Sequence, residues 1–127
     1  MHLPIFIYVG IGGFMGAILR FSISSALQRL LGSSFPYGTI GVNTIGSFMI
    51  GFLFLYFEQT IEPSQKAMYV TGLLGALTTF STFSLETILM LQGGLFAKAA
   101  ANIVFNVLFS IVATILGMIV FRRLYGL

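Results

Sequence analysis

Cysteine is absent from this 127-residue chain, which removes disulfides, thiolate metal sites and a cysteine nucleophile, and leaves the redox compartment unread. Charge is almost as scarce. Only 7% of the residues are charged, where a soluble domain carries about 25%, so the chain cannot build a water-facing surface around one core. It has three acids, the first of them Glu58, and one histidine, His2, which reads as a terminal residue. The six cations are scattered and form no stripe, so the net charge of +3 gives no ground for nucleic-acid binding. The amino terminus, MHLPIFIYVGIGG, has no basic leader and no A-x-A cleavage pattern. It reads as a retained first span rather than a removed signal.

What fills the chain instead is apolar, with 57% hydrophobic residues and a mean hydropathy of +1.04. No charge falls between Arg29 and Glu58 or between Lys98 and Arg122, and a membrane crossing needs about 20 apolar residues. The expectation is an all-α integral membrane protein, one domain of four transmembrane helices at about residues 3–31, 39–57, 64–91 and 97–121. The last two turns of the first, FSISSALQRL, are amphipathic and are expected to leave the hydrocarbon. Turn residues at 32–36, 58–63 and 92–94 separate the spans. Small residues recur four apart, as Gly12 with Gly16, Ser47 with Gly51, Gly72 with Ala76 and Ala97 with Ala101. Such pairs let helix backbones approach closely where lipid gives no hydrophobic drive to associate.

Four crossings put both termini and the 58–66 turn on one side of the membrane. That side carries Lys66, Arg122 and Arg123, and the other carries Arg20, Arg29 and Lys98. Loop cations normally decide orientation; here they balance. The balance predicts insertion both ways and pairing as an antiparallel, dual-topology homodimer. A four-helix chain this short also lacks the walls to enclose a pathway, and a second copy supplies them.

Polar side chains at membrane depth are costly, so those that persist are expected to face a bundle interior, a partner or water. The densest cluster is GALTTFSTFS, residues 75–84. Its threonines and serines compete with helical hydrogen bonding and Gly75 adds flexibility, which predicts a break in the third span. Broken backbone is tolerated in a membrane only where protein or water satisfies the freed groups, and released carbonyls there can coordinate a cation. The competing reading is a continuous helix whose hydroxyls bond back to the preceding turn. A second cluster, Asn102, Asn106, Ser110 and Thr114, shares one face of the fourth span. It lines a path or glues helices together. Asn43, one turn after Thr39, offers an amide suited to handing an ion along or to packing.

Hydroxyl and amide donors, with phenylalanine edges that carry the positive part of the ring quadrupole, suit an anion. Selecting a small, strongly hydrated one requires close, numerous and individually weak contacts. Arg20 either attracts anions at a vestibule or snorkels to the interface. Glu86, two residues after Ser84, caps the broken segment or gates it. A pore-lining carboxylate repels anions, so a structural or vestibule role is expected for both charges.

Gly16-Ala-Ile-Leu-Arg20, Gly38-Thr-Ile-Gly-Val-Asn43 and, above all, TTFSTFS at 78–84 followed by Glu86 resemble the small fluoride channels of the Fluc (CrcB) family. The resemblance extends over all four spans. It implies an antiparallel homodimer with two parallel fluoride pores, each lined by both subunits. It implies that Phe80 and Phe83 form a box of ring edges around the ion, with Asn43 beside it. Thr39, Ser110 and Thr114 would extend the polar track, Asn106 is counted with them, and Ser81 and Thr82 would add hydroxyls at the break. A structural sodium ion at the dimer interface would be held by the backbone carbonyls of Gly75 and Thr78. Two departures stand out: Ala76 replaces a glycine found in many relatives, and Asn102 and Asn106 occupy positions that vary.

The function so implied is a channel of the bacterial inner membrane, not an enzyme, with fluoride, membrane lipid and its own second copy as partners. HF enters cells uncharged and dissociates, and the trapped anion leaves passively, driven by about 2.3 kcal/mol per charge per 100 mV of inside-negative potential. The main alternative is a dual-topology exporter of the small multidrug type. Such an exporter needs a proton-exchanging carboxylate in its first helix, where this chain has Arg20 and no acid. A third reading is a non-transporting membrane scaffold.

Overall fold

The computed structural model describes residues 3–60 and 62–126; His2 and Ile61 lie outside them. Four apolar helices, each long enough to cross a membrane, succeed one another: α1 (Ile5–Leu31), α2 (Tyr37–Gln59), α3 (Pro63–Gln92) and α4 (Phe96–Tyr125). Their bounds fall within a few residues of the expected spans. Proline sits where its missing N–H costs nothing, before α1 and α2 as Pro4 and Pro36 and at the first position of α3 as Pro63. Gly32, with φ +98°, ends α1 in a backbone conformation closed to most side chains. The loop behind it is held by Gln28, whose Nε2 donates to the carbonyls of Gly32 and Phe35, both at 2.7 Å, and whose Oε1 accepts from Gly38 N–H at 3.1 Å. The amphipathic end of α1 is one continuous helix with the rest, and Ser24 and Leu27 there pack on Gly38 and Gly41 of α2.

Among the described residues only α3 is irregular. It starts as Pro63–Lys66, winds as a π-helix over Ala67–Leu74, returns to α over Gly75–Leu77, breaks, and resumes as Phe80–Gln92. The π-helix was not expected from AMYVTGLL, whose composition is that of any apolar helix. The break was expected, but it is narrower than the residues 78–84 that suggested it. Only Thr78 (φ −86°, ψ 157°) and Thr79 (φ −148°, ψ 121°) are extended, and Ser81, Thr82 and Ser84 lie inside the resumed helix.

Glycines at two seams set how the helices pack. A Cβ on Gly12 would overlap the Met68 carbonyl and one on Gly16 the Leu73 carbonyl, so α1 lies directly on the π-helical stretch, where Gly72 meets Val9. On the other side, a Cβ on Gly51 would overlap the Thr114 carbonyl and one on Gly117 the Phe48 carbonyl, which seats α2 on α4. Of the small-residue pairs, Gly12 with Gly16 acts as a seam. Gly72 with Ala76 lies in the same seam and Gly51 in the other, where its counterpart Gly117 stands four residues after the buried Ala113, while Ala97 is exposed. Val42, Leu73, Leu74 and Leu77 fill the space between the seams.

Gly12→Val should therefore cost about 3 kcal/mol, because the obstacle is backbone that cannot rotate aside. Gly10→Ala, with nothing within 4 Å of its added carbon, should be tolerated. Thermal unfolding in detergent micelles compares the two; equal stability would mean that α1 does not dock through this seam.

Candidate functional site

The break forms because β-branched threonines accept extended backbone readily and because Thr79 makes a good helix cap. Its hydroxyl accepts from Thr82 N–H at 3.2 Å and donates to Thr82 Oγ1 at 3.0 Å, starting the second half of α3. Ser81 Oγ lies 3.4 Å from the same oxygen. On the other side, the Thr78 hydroxyl and N–H both return to the Leu74 carbonyl, at 3.0 and 3.2 Å, and close the first half.

Asn43 of α2 brackets the opened backbone. Its Oδ1 accepts from Thr79 N–H at 2.8 Å, and its Nδ2 donates to the Thr79 carbonyl at 3.2 Å. The second Nδ2 donation goes to Asn106 Oδ1 at 3.0 Å. In a continuous helix Thr79 N–H would serve the Gly75 carbonyl and Thr82 N–H the Thr78 carbonyl. Both donors are diverted here, so the Gly75 and Thr78 carbonyls are released from their helical partners. The residues named for a cation thus offer the oxygen donors that such an ion needs. The broken ends also oppose two helix dipoles, carbonyl end against amide end, favouring a cation on one side of the break and an anion on the other.

A cavity of about 430 Å³ opens at this place between α2, α3 and α4. Asn43, Phe80, Phe83, Asn106 and Ser110 line it, together with Gly75 and Thr78. The Phe80 and Phe83 rings meet edge to face, with centroids 5.4 Å apart and planes at 64°. Phe80 is 78% exposed, so one side of this pair is uncovered by its own chain. Ser47, which sequence reasoning passed over as a lining residue, contributes from α2.

A second cavity, of about 250 Å³, is lined by Arg20, Ser24, Thr39 and Thr82 among others, and shares Thr79 with the first. Arg20, Thr39 and Thr82 are therefore grouped apart from the phenylalanines, with the break between. Glu86 is half-buried next to the Thr39 hydroxyl, and its Oε1 is buried without a hydrogen-bond partner.

Ser81 and Thr114 line neither cavity. The Thr114 hydroxyl is spent on the carbonyls of Ser47, at 3.1 Å, and Ser110, at 3.0 Å. Asn102 is fully buried and bonded to Thr87 and Asn106 rather than open to a path. Thr87 was not singled out from the sequence. The signal was there in Asn102, a membrane amide that needs an acceptor on a neighbouring helix.

Residues 7–118 match the family described as CrcB-like protein, Camphor Resistance (CrcB). Among curated relatives, a protein of a Sulfurovum species is 63% identical over 93% of this chain and 94% of its own length. One from a Nitratiruptor species is 55% identical over 99% and 98%, and one from Shewanella loihica is 46% identical over 93% and 97%. All three are named fluoride-specific ion channel FluC.

Asn43→Ala should cost about 2 kcal/mol, since it leaves Thr79 N–H and Asn106 Oδ1 unpaired together. Thr44→Ala removes only a bond back to the Ile40 carbonyl and is the comparison. Hydrogen exchange at the Thr79 amide should accelerate in the first variant alone; protection retained in Asn43→Ala would show that the bracket is not what holds the break.

Proposed function

The chain belongs to the CrcB-like family, and from that membership we propose that it is a fluoride-selective membrane channel. One observation carries the reading within this molecule: two phenylalanines, an asparagine amide and a serine line one cavity beside a helix break. Ring edges, N–H groups and O–H groups all present positive charge, and each contact is weak enough to release the ion again. Transport is passive, from the cytoplasm across the bacterial inner membrane, and the membrane potential supplies the drive.

The working unit is an antiparallel homodimer with two pores. The support is indirect and physical: a cavity at membrane depth that exposes Phe80 and an opened backbone must be closed by protein or water. A second copy, inserted the other way as the balanced loop charges allow, closes both cavities with the same surface. Sodium, held by the carbonyls of Gly75 and Thr78, supplies positive charge that neutralises the carbonyl end of each broken helix. Arg20 and Thr39, in the neighbouring cavity, form a polar vestibule.

Fluoride efflux from liposomes, read with a selective electrode, tests the channel. Phe80→Ile and Phe83→Ile should each slow efflux by at least about tenfold, an effect of roughly 1.4 kcal/mol on the barrier, with unchanged yield of folded protein. Full efflux in both would remove the ring-edge pathway, and no efflux from the unaltered protein would remove the function. Preparation without sodium should separate the dimer on size exclusion and abolish efflux; a dimer indifferent to sodium would overturn the cation assignment.

A further inference from the structure

Asn43, Asn102 and Asn106 are all the asparagines of the chain, and although they stand on two helices they form one hydrogen-bonded line. At one end is Thr79 N–H, which can only donate, at 2.8 Å from Asn43 Oδ1. At the other is the Phe83 carbonyl, which can only accept, taking the Thr87 hydroxyl proton at 2.8 Å. Every step between runs the same way. Asn43 Nδ2 donates to Asn106 Oδ1 at 3.0 Å, Asn106 Nδ2 to Asn102 Oδ1 at 2.9 Å, and Asn102 Nδ2 to Thr87 Oγ1 at 3.0 Å.

An isolated amide has two flip states, but this line permits one. Because the Thr87 proton goes to a carbonyl, Thr87 meets Asn102 with a lone pair, and Asn102 must answer with its NH2. The same sense is set at Asn106 by the Asn102 carbonyl, 2.9 Å from its Nδ2, and at Asn43 by Thr79 N–H, so every amide of the line is held in one orientation. Burial enforces it: Asn102 is fully buried, and Thr87 and Asn106 nearly so. A reversed amide would set donor against donor and leave a buried polar group unpaired.

We propose that Thr87 and Asn102 are positioning residues for the ion cavity. Neither lines it, yet they anchor the buried end of the line that holds Asn106 and, through it, Asn43 in place, and both of those do line it. In the fixed sense Asn43 turns its oxygen to the break and one Nδ2 hydrogen into the line. Its remaining hydrogen makes the long 3.2 Å bond to the Thr79 carbonyl, and that hydrogen is the one an incoming anion takes over with least loss. The transport half of this proposal rests on the fluoride reading; the hydrogen-bond half does not.

Full-length protein labelled with ¹⁵N at asparagine reports on the line alone, because every labelled side chain belongs to it. Thr87→Val keeps the shape of the side chain and removes both its acceptor and its donor. The NH2 signals of Asn106 and Asn43 should shift along with those of Asn102, and fluoride efflux from liposomes should fall about tenfold, as for one lost buried hydrogen bond. Thr87→Ser, which keeps the hydroxyl, should restore signals and efflux together. The proposal is overturned if Thr87→Val moves only the Asn102 signals and leaves efflux unchanged, or if the serine variant behaves as the valine one does. Should Thr87→Val fail to fold, the unaltered protein decides: slow hydrogen exchange is expected at the Asn102 and Asn106 NH2 groups, and fast exchange there overturns the line. Unaltered protein that passes no fluoride defeats the transport reading, and the signal shifts then judge the line by themselves.

Discussion

In hydrocarbon no water waits to pair an opened backbone, so a helix can break inside a membrane only where another part of the protein takes the place of the lost bonds. Here that part is one amide, helped by the Thr79 hydroxyl that takes Thr82 N–H. Asn43 gives the Thr79 N–H an acceptor and the Thr79 carbonyl a donor, much as a neighbouring strand would. The cavity, the released carbonyls of Gly75 and Thr78, and the orientation of Phe80 and Phe83 all follow from the chain being extended at Thr78 and Thr79. Without the bracket, an unbroken helix would be the cheaper structure and would carry its phenylalanines elsewhere.

The bracket works only if α2 and α3 are held at a fixed distance, and side-chain packing alone gives little such force in lipid. Backbone contact supplies it. The glycine seams join α1 to the first half of α3 and α2 to α4 so closely that no Cβ fits between them. Two zipped pairs then face each other across the Val42 and Leu73–Leu77 cluster, and the cavity is the space that neither pair fills. Rigid seams on both flanks keep an apolar-walled cavity from collapsing when nothing occupies it.

The spans were legible because absence of charge over a helix-long run has one cause, and the break was legible because threonine, serine and glycine at membrane depth defeat a helix. Its width was not. Once Thr79 caps the resumed helix, Ser81 and Thr82 fall in the first turn, where short polar side chains are no longer disruptive. The π-helix left no mark in AMYVTGLL, whose composition is that of any apolar helix; it lies where Gly12 and Gly16 of α1 pack against the backbone. Small-residue spacing found the α1 seam and passed over Gly117, although Ala113 stands four residues before it and the pair obeys the same rule. Thr87 was hidden for a similar reason: its role exists only opposite Asn102.

The commitment of the amides decides what an ion in the cavity would meet. Asn106 spends its NH2 on the carbonyl and side-chain oxygens of Asn102, both at 2.9 Å, so the ladder of the fourth helix is turned inward upon itself. The polar and aromatic side chains lining the cavity besides Asn106 are then Phe80, Phe83, Ser47, Ser110, Thr78, Thr79 and Asn43, the last with one long N–H bond. A fully exposed row of amides would bind an anion firmly and hold it. A lining whose strongest donors are already occupied binds it through many weak contacts, each partly borrowed from an existing bond, and an anion held that way can be passed on. On the proposed fluoride reading, conduction of a tightly hydrated ion would depend as much on the donors withdrawn into the Asn43–Asn106–Asn102–Thr87 line as on those left in view.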